Sequence, residues 1–424
     1  MLLFLCIVFP LWFGYRRSVS PEGVEVNHVT LFTFGFLFYW ILPIAVGQIS
    51  STFAGDNWSD LFGAANFTSK YLAVSITSYV AFAIGDSIAR RTVRTILGKA
   101  RAFSSTGLAI CLVPAIPAAI FTAYIYRSLL FQQYGRDIPA ERARGTVSAF
   151  VIFFGVIALL HISDQIGQSF KRIATSWFVL PFVAGCIFML VLASRIYVVS
   201  FILIFVVYST CFIHRFKIKN LILGATILAA ISGTIGALRV GLSIGDSGSN
   251  LILEPMLTSF SLIYFLRYES LAWIHFPTYL ISDLVNLVPT ALLPGKSDLI
   301  QFPFVYNPGG AVHSFVSFNY NFGIIGTVGF MFLLPIVLRW IRAQSSIQLF
   351  RVSYSMLSGF LAFTFFRDPF SVSLVKAMLE FSVIMPAVLV AFNRLIQSTE
   401  SGYISSCESL HTDICSTLIN NAKS

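Results

Sequence analysis

The stretch that decides the fold is IFMLVLASRIYVVSFILIFVVY, residues 187–208, where a single arginine interrupts a long run of apolar residues. The apolar sequence on the two sides predicts one helix over 174–194 and a second over 196–213. Each is near the length that crosses the hydrocarbon core of a bilayer. The chain therefore turns back at Ser194 and Arg195, which places one guanidinium group at the membrane boundary.

The composition of the whole chain agrees with a membrane protein. Of the 424 residues, 57% are hydrophobic and 11% are charged, with a mean hydropathy of +0.82. Soluble domains carry about 25% charged residues, so that class is excluded. The formal charge of +10 is expected from basic cytoplasmic loops, and it does not indicate binding to nucleic acid. Six cysteines without a CxxC motif or a His/Cys cluster predict neither a metal site nor a disulfide framework.

Apolar periodicity predicts an all-α polytopic integral membrane protein with about 11 transmembrane helices. The predicted spans are 1–14, 29–49, 71–89, 107–126, 145–162, 174–194, 196–213, 221–238, 319–338, 353–366 and 371–393.

The distribution of lysine and arginine predicts the orientation of these spans. Alternate loops and the C-terminal tail hold 17 of the 28 basic residues, and the positive-inside rule makes those loops cytoplasmic. The N-terminus is then outside and the C-terminus inside. The resulting organisation is an N-terminal bundle at 1–238, a large external loop at 239–318, C-terminal helices at 319–396 and a disordered tail at 397–424.

The external loop is too long to serve only as a connection between two helices. We predict a helix over 254–270, a helix lying in the membrane interface over 276–294, and an irregular Pro/Gly/Asn-rich stretch over 301–323.

A set of arginines falls on the side that the positive-inside rule leaves poor in basic residues. Guanidinium groups bind phosphate oxygens in bidentate fashion, so these arginines are candidates to hold a diphosphate at the outer face. The alternatives are local ion pairs with neighbours such as Asp137, Glu141 and Asp368, or snorkelling of Arg195 to headgroups. The set comprises Arg136, Arg142, Arg144, Arg195, Arg239, Arg267 and Arg367.

Two further residues are candidates for chemistry. His313, in GGAVHSF, has a side chain that can accept a proton from a sugar hydroxyl, although a hydrogen-bonded loop histidine is the simpler reading. Glu254 opens a helix-like stretch of the external loop and is a second candidate base. The chain holds no phosphate-binding glycine loop, no HExxH and no external acidic cluster for a divalent cation. No cofactor or metal is therefore expected.

The run HSFVSFNYNFGIIGTVGFMFLLP, residues 313–335, resembles the segment at a late span of Wzy-type O-antigen polymerases and of the related O-antigen ligases. The turn LASRIY, residues 192–197, resembles their serine-arginine span junction. The layout of eleven spans with one large late external loop is also similar.

This resemblance implies a GT-C-like integral glycosyltransferase in the bacterial inner membrane. Its substrate would be an oligosaccharide on undecaprenyl diphosphate, joined to the next repeat unit at the periplasmic face without a metal. Arg195 matches the arginine of the span junction, and His313 matches the loop histidine that ligases use near the acceptor hydroxyl. Arg239 and Arg267 match only as arginines of the large loop. A chain-length regulator and a flippase of the same pathway are the protein partners implied.

Three alternatives stay open from the sequence. An O-antigen ligase would perform the same chemistry with a lipid A-core acceptor. A transporter of polysaccharide or lipid-linked oligosaccharide would need polar residues along a path through the bilayer. A membrane scaffold without activity would leave Arg195, at membrane depth, without a role.

Overall fold

The computed structural model describes residues 2–49, 65–94, 105–130, 138–164, 176–192, 195–240, 247–268, 272–288, 292–295, 299 and 312–399. The first part of the described chain contains one short antiparallel hairpin, Val19–Ser20 with Gly23–Val24, among long helices. Its α-helices are α1 Leu2–Ser18, α2 His28–Phe36, α3 Leu42–Ile49, α4 Ala65–Thr92, α5 Ser105–Ile125, α6 Ile138–Asp164, α7 Leu180–Val191, α8 Arg195–Phe212 and α9 Ile218–Val240.

The second part adds five α-helices and a long π-helix. These are α10 Ser247–Tyr268, α11 Thr278–Leu287, α12 Ser314–Ala343, α13 Gln348–Phe360, α14 Thr364–Arg367 and the π-helix Ser371–Ile384, which continues as α-helix over 385–399. A shorter π-helix, Leu37–Ile41, joins α2 to α3.

The described chain is that of an all-α membrane protein. Seven of its helical stretches are long and apolar enough to cross a membrane, and Leu180–Val191 and Ile218–Thr234 are shorter apolar helices. Large apolar side chains stay exposed along these helices, such as Ile120 and Phe121 at 65%, as expected where a surface faces lipid. The seven are His28–Val46, Tyr71–Thr92, Thr106–Leu129, Gly145–Ile162, Arg195–Phe212, Ser314–Ala343 and Val372–Thr399.

The predicted count of eleven spans is not established by these helices. The predicted first span corresponds to α1, which has 17 residues and a proline at position 10. The predicted span at 353–366 corresponds to α13, which ends at Phe360 and is buried on almost every side. Such a helix packs inside the bundle and leaves little surface to face lipid.

The large loop contributes a helix to the protein interior. In α10, Thr258, Ser259 and Ser261 are fully buried, and Leu262 and Ile263 belong to the main core together with residues of α2, α4 and α12. The small hydroxyl residues allow close approach of neighbouring helices, and their side chains donate to carbonyls within α10. The segment therefore packs into the bundle instead of lying over it.

A buried charged cluster joins the ends of five helical elements near the predicted cytoplasmic face. Asp86 of α4 is fully buried and contacts Arg17 at 3.0 Å, Arg339 at 2.5 Å and His28 at 3.2 Å. The other ring nitrogen of His28 is 2.9 Å from the hydroxyl of Tyr354. A lone carboxylate at this depth is costly, and three partners offset that cost. We call these residues the Asp86 cluster.

Helix α12 bends sharply at Gly323, where φ is +70° and ψ is −171°. The bend frees the N–H groups of Ile324 and Ile325, which donate to the carbonyls of Ala272 and Trp273 at 3.0 and 3.1 Å. A Cβ at position 323 would lie 2.7 Å from the Trp273 carbonyl oxygen. Only glycine fits here, which gives a physical reason for the first glycine of the NFGIIG sequence.

We expect Gly323→Ala to lower the free energy of unfolding by about 2 kcal/mol or more, because it adds a clash to an unfavourable positive φ. Gly329→Ala is the matched control, since it lies in the same helix with open space around its Cβ; it should be neutral or stabilising by about 0.5–1 kcal/mol. Thermal unfolding in detergent measures both. Equal unfolding temperatures for the two variants would contradict this account of the bend.

Candidate functional site

A second charged cluster lies at the opposite helix ends, and three sequence-predicted residues form its centre. Glu254 of α10 lies between two arginines: its Oε1 is 2.6 Å from Nε of Arg367, and its Oε2 is 3.6 Å from a terminal nitrogen of Arg195. The other terminal nitrogen of Arg195 donates to the Ser232 carbonyl at 3.0 Å. Side-chain exposures of 15–20% leave this trio in reach of a ligand.

Asp368 completes the charge balance beside Arg367. Its Oδ1 accepts from Arg367 at 3.0 Å, and Tyr197 forms a further side-chain hydrogen bond with this carboxylate. Tyr39 and Tyr197 lie within electrostatic range of the same arginine. Two guanidinium groups thus face two carboxylates in a region shielded from water. We call Arg195, Glu254, Arg367 and Asp368 the outer cluster.

His313 lies directly beside the outer cluster, because the N–H of Val312 donates to the carbonyl of Arg367 at 3.0 Å. The imidazole is fully buried, and its ring centroid is 4.7 Å from that of Trp40. His313 is the N-cap of α12: its Nδ1 accepts from the N–H of Phe315 at 3.2 Å. Its backbone N–H donates to Oγ of Ser261 at 2.8 Å.

This capping contact determines what His313 can do chemically. Burial lowers the pKa of His313 to about 3, so the ring is neutral near pH 7. A neutral ring whose Nδ1 accepts a hydrogen bond carries its proton on Nε2. Nε2 is buried without a partner, and it is therefore a hydrogen-bond donor. The sequence suggested a base at this position, whereas the capping contact leaves Nε2 as a donor enclosed within the protein.

The other predicted arginines are distributed differently. Arg267 ends α10, is exposed, and lies over the ring of Tyr268 at 5.5 Å, away from the outer cluster. Arg136 lies outside the described residues. Arg142, Arg144 and Arg239 belong to described helices, but their side chains lie outside the described part.

Several members of this site carried weaker signals in the sequence. From the sequence, Asp368 is interpreted as an acidic neighbour that neutralises Arg367. Tyr39 and Trp40 are interpreted as ordinary residues of an apolar span. The π-helix at Leu37–Ile41 is the feature that marks them, because extra residues in a helical turn are frequent at functional sites. Within the described residues, no group of three or more His, Cys, Asp or Glu side chains is arranged to hold a metal ion.

Asp368 gives the site a predicted pH dependence. Burial raises the pKa of Asp368 to about 6, against the opposing effect of Arg367. The folded-state pKa lies above the unfolded value, so the ionised carboxylate costs stability above pH 6, and that cost disappears as the pH falls towards 4. We expect Asp368→Asn to raise the free energy of unfolding at pH 7.5 by up to about 3 kcal/mol and to have little effect at pH 4.5. Unfolding midpoints at the two pH values test this, and destabilisation at pH 7.5 would contradict it.

Comparisons with known proteins give no relative from which a role can be transferred. No family model, no curated protein and no solved structure matches the chain.

Proposed function

We propose that this chain is a Wzy-type O-antigen polymerase of the bacterial inner membrane. It would be a metal-independent glycosyltransferase of the GT-C type that joins oligosaccharide repeat units carried on undecaprenyl diphosphate. The outer cluster would face the periplasm, with the N-terminus on the same side and the C-terminus in the cytoplasm. A flippase would supply the lipid-linked units, and a chain-length regulator would act on the product.

One observation carries this proposal: Arg195, Glu254 and Arg367 meet at one place although they are far apart in sequence. Ion pairs hold both guanidinium groups in fixed positions near the ends of helices. An arginine side chain at the edge of the hydrocarbon core is costly unless a partner anion is present. Fixed, partly exposed guanidinium groups at this depth suit the diphosphate of a polyprenyl carrier, whose charge lies at the membrane surface.

In the proposed reaction, the bond between the donor sugar and the diphosphate breaks. The acceptor hydroxyl attacks the anomeric carbon, the electrons of the C–O bond pass to the diphosphate, whose negative charge rises, and the hydroxyl proton is released to water at the outer face. Preorganised guanidinium groups in a region of low dielectric stabilise that charge more in the transition state than in the ground state. Both oxygens of Glu254 contact arginines, so its proposed role is to orient them. His313 would donate from Nε2 to a donor or acceptor oxygen.

The transporter alternative receives less support from the charge distribution. The buried ion pairs of the described residues gather at the two ends of the helices, in the Asp86 cluster and the outer cluster. Lys376 and Glu380 of the Val372–Thr399 span are the exception, and they are the feature that a transporter would use. Alternating access usually employs polar groups at midplane. The ligase alternative has the same chemistry and differs only in the acceptor.

The test is complementation of a deletion strain, with the lipopolysaccharide separated on a gel. We expect the deletion to give core with a single repeat, the wild-type gene to restore long chains, and Arg195→Ala to give core with a single repeat at normal protein abundance. Bare core with polymer retained on the carrier would indicate a ligase. Normal long chains from Arg195→Ala would remove this residue from the mechanism.

A further inference from the structure

The segment from Ala272 to Leu287 overlaps the interfacial helix that the sequence predicts over 276–294, but the sequence did not predict its attachment to α12. It belongs to the predicted external loop, yet it attaches to α12 at the bend, ten residues into a helix that is apolar enough to cross the membrane. Residues of α12 before the bend are mostly buried, whereas Ile325, Leu333, Val337 and Trp340 beyond it are exposed apolar side chains. The segment therefore begins where the lipid-facing surface of α12 begins.

Helix geometry gives the depth of this attachment. His28 and Arg339 both contact Asp86, so they mark one level near the predicted cytoplasmic face. With a rise of 1.5 Å per residue, Ile325 lies roughly 21 Å along α12 from Arg339, and Trp40 lies roughly 18 Å along its helix from His28. The hydrocarbon core is about 30 Å thick. At roughly 18–21 Å from this level, Trp40 and Ile325 both lie past the middle of the hydrocarbon core, on the side of the outer cluster.

Four backbone carbonyls of the irregular part are paired within the protein. The carbonyls of Ala272 and Trp273 accept from α12, and His275 Nδ1 is 2.9 Å from the carbonyl oxygen of Phe276. Pro277 has no N–H to satisfy, and its carbonyl accepts from Leu280 at the start of α11. Irregular backbone is tolerated at membrane depth only when its polar groups are paired in this manner.

The side chains of the same segment are apolar and exposed. Trp273, Ile274 and Phe276 are 71–78% exposed, and Ile281 of α11 is 66% exposed. These side chains lie beside the exposed side chain of Ile325, because the N–H of Ile325 donates to the carbonyl of Trp273. Arg267, which precedes the segment in the chain, is exposed over Tyr268, as expected of a cation that extends towards lipid phosphates. Chemistry and position both indicate acyl chains as the contacting partner.

We propose that residues 272–287 are immersed in the outer leaflet as a re-entrant segment, with Trp273, Ile274, Phe276 and Ile281 in contact with lipid acyl chains. This inference is independent of the proposed enzymatic function. The segment would fix the depth of the neighbouring outer cluster, because α11 packs against the π-helix Ser371–Ile384 that follows Asp368.

Photocrosslinking tests the proposal. Phe276→p-benzoylphenylalanine, in the full chain in phosphatidylethanolamine/phosphatidylglycerol nanodiscs, is irradiated and its intact mass measured. We expect adducts of one phospholipid at a yield close to that of Phe121→p-benzoylphenylalanine, a position exposed on the Thr106–Leu129 span. The water-facing control is the same substitution at Glu22, whose side chain is 79% exposed in the hairpin. Ile281 provides a second position on the segment.

Lipid adducts at positions 276 and 281 several-fold above the Glu22 yield would support immersion. Yields at both positions equal to that of Glu22 would overturn it, because the segment would then lie in water. A crosslink to another polypeptide in native membranes, in place of the lipid adduct, would also overturn it and would identify a protein interface.

Discussion

Arg367→Gln is expected to abolish elongation of the polysaccharide, with a loss of roughly 10²–10³-fold in rate. Arg367 is the arginine that contacts both carboxylates of the outer cluster, at 2.6 Å from Glu254 and 3.0 Å from Asp368. Its removal takes away a donor for the proposed diphosphate ligand, leaves Glu254 with Arg195 alone and removes the ion-pair partner of Asp368. Arg367→Lys keeps the charge but loses the planar fork, so we expect it to recover little activity.

The matched control for Arg367→Gln is Arg267→Gln. Arg267 is also an arginine of the predicted outer side, but it is exposed and lies over Tyr268, outside the outer cluster. We expect near-normal chain length from this control. Activity would be measured as polymer per unit of membrane-inserted protein, so that reduced abundance is not read as reduced chemistry. Equal activities of the two glutamine variants would contradict the assignment of Arg367.

Asp86→Ala is expected to have the largest effect on stability. The substitution leaves Arg17 and Arg339 facing each other in a buried site without an anion, and it removes the acceptor of His28. Breaking a buried ion pair by removing one partner costs about 3–5 kcal/mol. Because Asp86 connects α1, α2, α4 and α12, we expect a lower unfolding temperature in detergent and much less protein in the membrane.

The control for Asp86→Ala is Glu22→Ala. Glu22 contacts Arg215 at 2.6 Å, but its side chain is 79% exposed, and exposed pairs contribute about 0–1 kcal/mol. A small effect of Glu22→Ala beside a large effect of Asp86→Ala is the expected pattern. Similar unfolding temperatures for Asp86→Ala and wild type would show that the Asp86 cluster does not hold these helices together.

The apolar runs were sufficient to predict helices and the membrane class, because the cost of exposing a backbone to lipid leaves a helix as the only solution for such a run. The position of Arg195 was equally informative, because a guanidinium group between two spans must pair with an anion or extend to the lipid headgroups. Periodicity did not reveal α13 as an interior helix, because a helix buried on all sides and a short span have the same apolar signal.

The contacts between residues that are far apart in the chain could not be predicted from the sequence. Nothing in the local sequence places Glu254 between Arg195 and Arg367, since their approach depends on how α8, α10 and α14 pack. The local sequence shows Asp86 only as one acidic residue in a long helix, although three basic side chains contact it, more than contact any other acidic residue of the described part. The role of His313 required its capping geometry, because the tautomer follows from the contact at Nδ1.

In the proposed function, the outer cluster holds a lipid diphosphate while its sugar is transferred. The most direct test is elongation by the purified protein in nanodiscs, supplied with undecaprenyl-diphosphate-linked repeat units from a strain lacking the gene, with products separated by size. A ladder of polymer from the wild type without added metal, and starting material only from the Arg195→Ala/Arg367→Gln double variant, is the predicted result. A ladder of the same length and rate from the double variant would contradict the claim.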